Sequence, residues 1–121
     1  MIFTEEQLVE QFENRMKSFD IPKYVNDNVP RKIKTSWESI ACINEDDMDH
    51  IAYCMDSLIE YLRGGMMPGG FIQAVVRNDF VDAVTRADGA NVRALTVYAR
   101  FIYNHVPREL LQLRREELTE K

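Results

Sequence analysis

The sequence has few of the residues that build metal sites and disulfide frameworks. Its 121 residues include two cysteines, two histidines, one tryptophan and five glycines. Cys42 and Cys54 fit a reducing compartment, and we expect both to be free thiols. His50 and Cys54 stand four residues apart, as two ligands on one helix face can, but a closed zinc site needs about four ligands. We therefore expect no metal and no cofactor.

The sequence also lacks long apolar runs. None approaches the roughly 20 residues that cross a bilayer, and the first residues lack the basic and apolar regions of a signal peptide. We therefore expect a cytoplasmic protein without a membrane partner. Twenty acidic and fifteen basic residues give a net charge of -5, which argues against non-specific binding of nucleic acid.

Motifs of common enzyme classes are missing as well. The sequence has no nucleophile elbow, no phosphate-binding lysine loop and no paired-cysteine motif, so we expect a protein that is not an enzyme. The composition is 45% hydrophobic, which is enough for one core at this chain length. Residues 1–121 are therefore predicted to be a single domain.

The apolar periodicity predicts an all-α protein, a small helical bundle of four to six helices. The N-terminal helix, within residues 1–19, begins after Thr4, which stands three residues before Gln7 as in a capping box. Residues 20–43 lose the periodicity and contain two prolines, so they are predicted to be an irregular connector. Ser36 is predicted to cap a short helix within this connector.

Residues 44–107 are predicted to form the helical core, and residues 108–121 a charged C-terminal tail with a final helix on its leucines. Asn44 is the predicted cap of the first core helix, and Gly64 and Gly65 are its predicted end. The three predicted core helices run over residues 45–63, 68–87 and 89–106.

Three charged residues fall inside the apolar arc of the predicted helix over residues 68–87, an arc that includes Phe80. At about 100° per residue, Asp79, Asp82 and Arg86 point toward apolar neighbours. We therefore expect these charges to be enclosed and to require partners. Arg86 follows Asp82 by four residues and Asp79 by seven, so its guanidinium is predicted to reach both carboxylates. The sequence leaves open whether this cluster is a structural clamp or a ligand site.

The next predicted helix, over residues 89–106, is apolar on most sides. Asn91 and His105 lie in apolar directions, and His105 is expected to be a packed core residue. The side chain of Asn91 is expected to bond the turn at Asp88. Wide apolar coverage on two helices of so small a chain predicts a homo-oligomer, such as a C2 dimer.

The motifs of residues 68–107 resemble those of small uncharacterised helical proteins encoded by bacteriophages and prophages. The shared pattern is a Gly-Gly-Phe, an Asn-Asp, an Arg-Ala-Asp and a Tyr before a Pro, in this order. The resemblance implies a protein made in the bacterial host cytoplasm. It also implies action by binding, either by blocking a host defence component or by sequestering a nucleotide signal.

The main hypothesis from the sequence is a non-enzymatic phage-type protein that interferes with a bacterial defence or regulatory component through protein–protein interaction. The alternative is an oligomeric sponge that sequesters an anionic nucleotide with its arginines and the Gly69–Gly70 turn. The candidate binding residues for both hypotheses are Gly69, Gly70, Arg77, Asn78, Asp79, Asp82, Arg86, Asp88, Arg93 and Arg100.

Overall fold

The computed structural model describes residues 3–29 and 45–119, which form eight helices and no strand. In chain order these are α1 (Glu5–Met16), α2 (Ile21–Asn28), α3 (Glu45–Leu62), α4 (Gly70–Arg77), α5 (Phe80–Arg86), α6 (Gly89–Arg93), α7 (Leu95–His105) and α8 (Arg108–Thr119). The all-α prediction is confirmed, but the predicted number of helices is too low. The predictions for Ser36, Cys42 and Asn44 concern residues outside the described ranges.

Helix α3 lies at the centre of the fold, where it contacts α2, α4, α6 and α8. Its apolar residues at three- and four-residue spacing are fully buried: Ile51, Met55, Leu58 and Leu62. Gly64 ends the helix with φ of 95°, and the Gly65 N–H donates to the Glu60 carbonyl at 2.8 Å. This left-handed end is the one that the glycine pair predicts.

Helices α1, α7 and α8 cover the other side of the core. The fully buried residues here are Leu8, Phe12, Val97, Tyr98, Phe101 and Leu110. The Thr4–Gln7 capping box of α1 is present, with both reciprocal hydrogen bonds. The His105 ring packs against Phe19 and Tyr24 with centroid distances of 5.4 and 5.8 Å, which confirms its predicted packing.

Arg114 on α8 is 1% exposed and joins three helices. Its Nε donates to the Leu62 carbonyl at the end of α3 at 3.2 Å, where the helix dipole favours a cation. Its Nη1 lies 3.3 Å from a carboxylate oxygen of Glu117 and 3.5 Å from one of Glu5. The guanidinium therefore ties α8 to the end of α3 and the start of α1.

The prediction of an irregular connector is wrong for residues 21–28, which form α2. Asp20 caps this helix by accepting a hydrogen bond from the Lys23 N–H at 3.1 Å. Pro22 stands in the first turn, where its missing N–H costs nothing and its fixed φ suits the helix. A proline taken as a helix breaker is here part of a helix start.

The predicted unbroken helix over residues 68–87 is also wrong, because the chain turns between α4 and α5. Asn78 adopts the left-handed conformation, with φ 62° and ψ 36°. The Asn78 and Asp79 N–H groups donate back to the Val75 and Ala74 carbonyls at 3.1 and 3.0 Å, which is the Schellman arrangement. Asp79 then caps α5 by accepting from the Asp82 N–H at 3.0 Å. We call this turn the Asn78–Asp79 corner.

The predicted helix over residues 89–106 is divided at Ala94 into α6 and α7. Asp88 caps α6 through the backbone N–H of Asn91 at 2.9 Å, whereas the Asn91 side chain accepts from the Tyr98 hydroxyl and donates to the Cys54 sulfur. The expected side-chain bond from Asn91 to Asp88 is therefore wrong. The predicted final helix is present as α8. Within the described ranges, no helix has the length and hydropathy needed to cross a bilayer.

Candidate binding groove

Arg77, Asp82 and Arg86 form a closed ion-pair cluster beside the Asn78–Asp79 corner. Arg77 Nη2 lies 2.5 Å from Asp82 Oδ2, and Arg86 Nε donates to Asp82 Oδ1 at 2.9 Å. The hydrogen bond from Arg86, with Arg77 adding to it, lowers the pKa of the Asp82 carboxyl. The predicted pair of Arg86 with Asp82 is thus confirmed.

The same cluster corrects two expectations. The guanidinium near Asp79 is that of Arg77, at 4.0 Å, where Arg86 was expected. The side chains of Asp79 and Arg86 are 49 and 57% exposed, so the prediction that apolar neighbours enclose them is wrong, whereas Asp82 is half-buried at 28% exposure and is paired. The turn at Asn78 changes the direction in which α5 presents its side chains. Solvent therefore reaches the charges that an unbroken helix would bury.

Gly70 is the glycine that makes room for this cluster. A Cβ on Gly70 would lie 2.7 Å from Arg86 Nη1, whereas a Cβ on Gly69 would meet nothing within 4 Å. Arg86 lies against the first turn of α4 in space that a side chain at residue 70 would share, so a larger residue there would require the guanidinium to shift. The sequence marked both glycines, and the structure gives a packing reason for Gly70.

The other predicted site residues take part in different contacts. Asp88 Oδ2 lies 2.6 Å from His50 Nε2 on α3. Burial alone would raise the pKa of Asp88, but hydrogen bonds from the Asn91 N–H and His50 outweigh it and lower that pKa. Arg93 lies on α6. Arg100 is exposed on α7, close enough to Tyr24 for its charge to act on the tyrosine hydroxyl.

Residues His50 and Cys54 do come together on α3, as their spacing predicts. The Cys54 sulfur lies 3.8 Å from His50 Nε2. Over residues 3–29 and 45–119, however, no three His, Cys, Asp or Glu side chains are arranged to hold a metal ion.

A groove of about 800 Å³ lies between the Asn78–Asp79 corner, α7 and α8. This volume falls in the range of ligand-binding sites. Most of its wall is apolar, including Val75, Ala83, Leu95, Ile102, Val106 and Leu111. Asn78 and Asp79 are the predicted site residues that line it.

Two aromatic side chains stand exposed at this groove. Phe80 is 73% exposed and Tyr103 is 86% exposed. The prediction that Phe80 belongs to a buried apolar arc is wrong, because the corner turns the first residue of α5 outward. Large apolar side chains exposed beside an apolar groove are typical of interaction surfaces.

Three arginines that the sequence did not single out also line the groove: Arg15, Arg108 and Arg115. Arg15 Nη1 donates to the His105 carbonyl at 3.2 Å, and Arg115 Nε donates to the Val76 carbonyl at 2.6 Å. These bonds hold two guanidinium groups against the wall. The groove thus offers apolar surface, aromatic rings and guanidinium donors.

Sequence reasoning missed these residues because they come from distant parts of the chain. Arg15 and His105 are 90 positions apart, and no local pattern reports such a contact. The one available signal in the sequence was the Tyr103–Asn104 pair that precedes Pro107, and the structure shows Tyr103 at the groove.

The chain matches no protein-family model, and no curated protein and no solved structure is significantly similar to it. The resemblance to phage and prophage proteins therefore stays a prediction.

Proposed function

We propose that this chain is a non-enzymatic binding protein whose groove receives an apolar segment of a partner protein. The observation that carries the proposal is the pair Phe80 and Tyr103, two large aromatic side chains left in solvent beside an apolar groove. Aromatic residues are enriched in protein interfaces, and tyrosine is among the residues that contribute most to their binding energy. Neither side chain is buried against other parts of the described residues.

The nature of the partner follows from the phage-type resemblance alone. On that basis the partner is a component of a bacterial defence or regulatory system in the host cytoplasm, and binding interferes with it. Self-association is the other protein–protein contact that the sequence predicts. A C2 dimer would bury the exposed aromatic residues of both copies, so light scattering of the wild type belongs to the test.

The proposal is tested by capture from bacterial cytosol with a matched pair of variants. Phe80→Ser with Tyr103→Ser removes the groove aromatics. Tyr53→Ser with Met66→Ser removes two apolar side chains that are equally exposed elsewhere, at 70 and 84%. We expect the wild type and the second variant to retain the same host protein and the first variant to lose it. Equal retention by both variants, with equal melting temperatures, contradicts the proposal.

An anionic nucleotide is the second candidate ligand, and the groove arginines favour it. Guanidinium groups bind phosphate, and aromatic rings such as Phe80 and Tyr103 stack on bases. The arginines expected for this role are Arg77, Arg86, Arg93 and Arg100, and the first two of them instead bind Asp82. Calorimetry with cyclic dinucleotides distinguishes the two functions: heat that disappears in Arg108→Gln supports the sponge, and no heat leaves the protein-binding function ahead.

A further inference from the structure

The groove is a basic site on an acidic protein. Arg15, Arg108 and Arg115 line it, and Asp79 is its acidic residue, whereas the whole chain has a net charge of -5. Among the described residues, none of the three arginines has a carboxylate within ion-pair distance. The local charge is therefore opposite in sign to the charge of the molecule.

Helix stability does not account for Arg108. It is exposed at the first position of α8, where the helix dipole makes a cation unfavourable. A residue that weakens its own helix is better explained by what it presents at the groove.

Arg115 has donors left for a partner. A guanidinium carries five N–H donors, and among the described residues Arg115 uses its Nε donor to bind the Val76 carbonyl. The side chain is half-buried, and burial lowers its pKa. A carboxylate placed beside it would offset the loss of water around this cation.

Asp79 does not cancel this charge. Its Oδ1 accepts the cap hydrogen bond of α5, and its Oδ2 lies 4.0 Å from Arg77 Nη2. The acidic residue of the groove is thus engaged with its own chain, and three guanidinium groups set the sign of the site.

The walls of the groove also restrict the shape of a peptide partner. They are helices, and the described ranges contain no strand edge on which an extended peptide could add hydrogen bonds. An amphipathic helix needs no such edge, because it binds by laying its apolar face in an apolar groove.

We propose that the groove binds an amphipathic helix of a partner protein, with its apolar face against α5, α7 and α8 and its flanking carboxylates paired with Arg15, Arg108 and Arg115. This inference rests on the proposed function and adds the chemistry of the partner segment. A matching helix has apolar residues at three- and four-residue spacing, bordered by Asp or Glu.

The test uses three helical peptides of about 18 residues, or five turns, with one leucine face and Glu, Gln or Lys at the flanking positions. We expect the Glu peptide to bind about tenfold more tightly than the Gln peptide, the Lys peptide to bind least, and the preference to shrink as salt is added. The net charge of the protein alone would produce the reverse order, so this order reports the groove.

Arg108→Glu is the matching protein variant, because an acidic residue at this position also suits the start of α8. We expect it to bind the Glu peptide more weakly than the Gln peptide. Arg63→Gln changes an exposed arginine that follows α3 and does not line the groove, and this variant should bind as the wild type does. Melting temperatures confirm that both variants are folded.

Several results overturn the inference. If the Gln or Lys peptide binds as tightly as the Glu peptide, the groove does not select acids, although binding that depends on Phe80 and Tyr103 would leave the proposed function standing. If no peptide binds, or if light scattering shows a dimer that Phe80→Ser dissociates, the acidic helix is not the occupant. The cytosol capture then decides the proposed function by itself.

Discussion

The arginines of the closed cluster and those of the groove differ in what their guanidinium groups contact. Arg77 and Arg86 share the Asp82 carboxylate, and Arg77 also lies 4.0 Å from Asp79, so two acids of the same chain balance the two cations. Arg108 and Arg115 on α8 have no carboxylate within ion-pair distance among the described residues. A charged side chain near a groove therefore indicates a binding role only where no opposite charge of its own chain pairs with it.

The largest effect is expected at Arg114, the most enclosed of the internally bound arginines. Arg114→Ala removes the links to Leu62, Glu5 and Glu117 and empties a fully buried volume. We expect a loss of about 3 kcal/mol in the free energy of unfolding, seen as a melting temperature lower by about 10 °C or more. Arg114→Met, which keeps the apolar stem, should lose less. An unchanged melting temperature for the Ala variant would falsify this structural role.

A smaller loss is expected for Asp82→Asn, which leaves Arg77 and Arg86 without their anion. Because the folded state lowers the pKa of Asp82, its ionised form stabilises the fold at pH above the ordinary value of about 3.9. That contribution is lost as the pH falls through the lowered pKa. We expect the variant to melt a few degrees below the wild type at neutral pH and the gap to close in acid.

The control for this pH series is Asp56→Asn, which changes an exposed carboxylate on α3. It should melt with the wild type at every pH. If Asp82→Asn behaves like this control, the closed cluster contributes nothing to stability, and the contrast with the groove arginines disappears.

The smallest effect is expected at Arg108, which has no internal anion to lose. Arg108→Gln should change the free energy of unfolding by no more than about 0.5 kcal/mol, with any change toward greater stability because a cation leaves a helix start. Urea denaturation measures this difference. A loss above about 1 kcal/mol would place Arg108 among the structural arginines.

The sequence predicts the helices whose ends have their own local chemistry. Thr4 with Gln7 and the Gly64–Gly65 pair define the start of α1 and the end of α3 because caps act within a few residues. Apolar spacing likewise predicts α8. Helix α2 was missed because Pro22 stops a helix in the middle but suits its first turn, and apolar spacing does not tell these positions apart.

The candidate site is less predictable because it is made by the way the helices meet. Asn readily adopts the left-handed conformation, and Asp is a favoured N-cap residue. Local rules therefore allow a turn to be predicted at Asn78 and Asp79. Periodicity extended across that turn placed Phe80 in the core. The groove arginines come from α1 and α8, and only the packed fold brings them to one surface.

The Asn78–Asp79 corner also makes the direction of the Phe80 side chain depend on the number of residues in the turn. Each helical residue rotates the next by about 100°, so one residue added or removed at this turn would swing the ring toward another quarter of the surface. The walls of α7 and α8 would be untouched by such an indel. A short insertion at this point would therefore change the surface that the Phe80 ring faces while α7 and α8 stay the same.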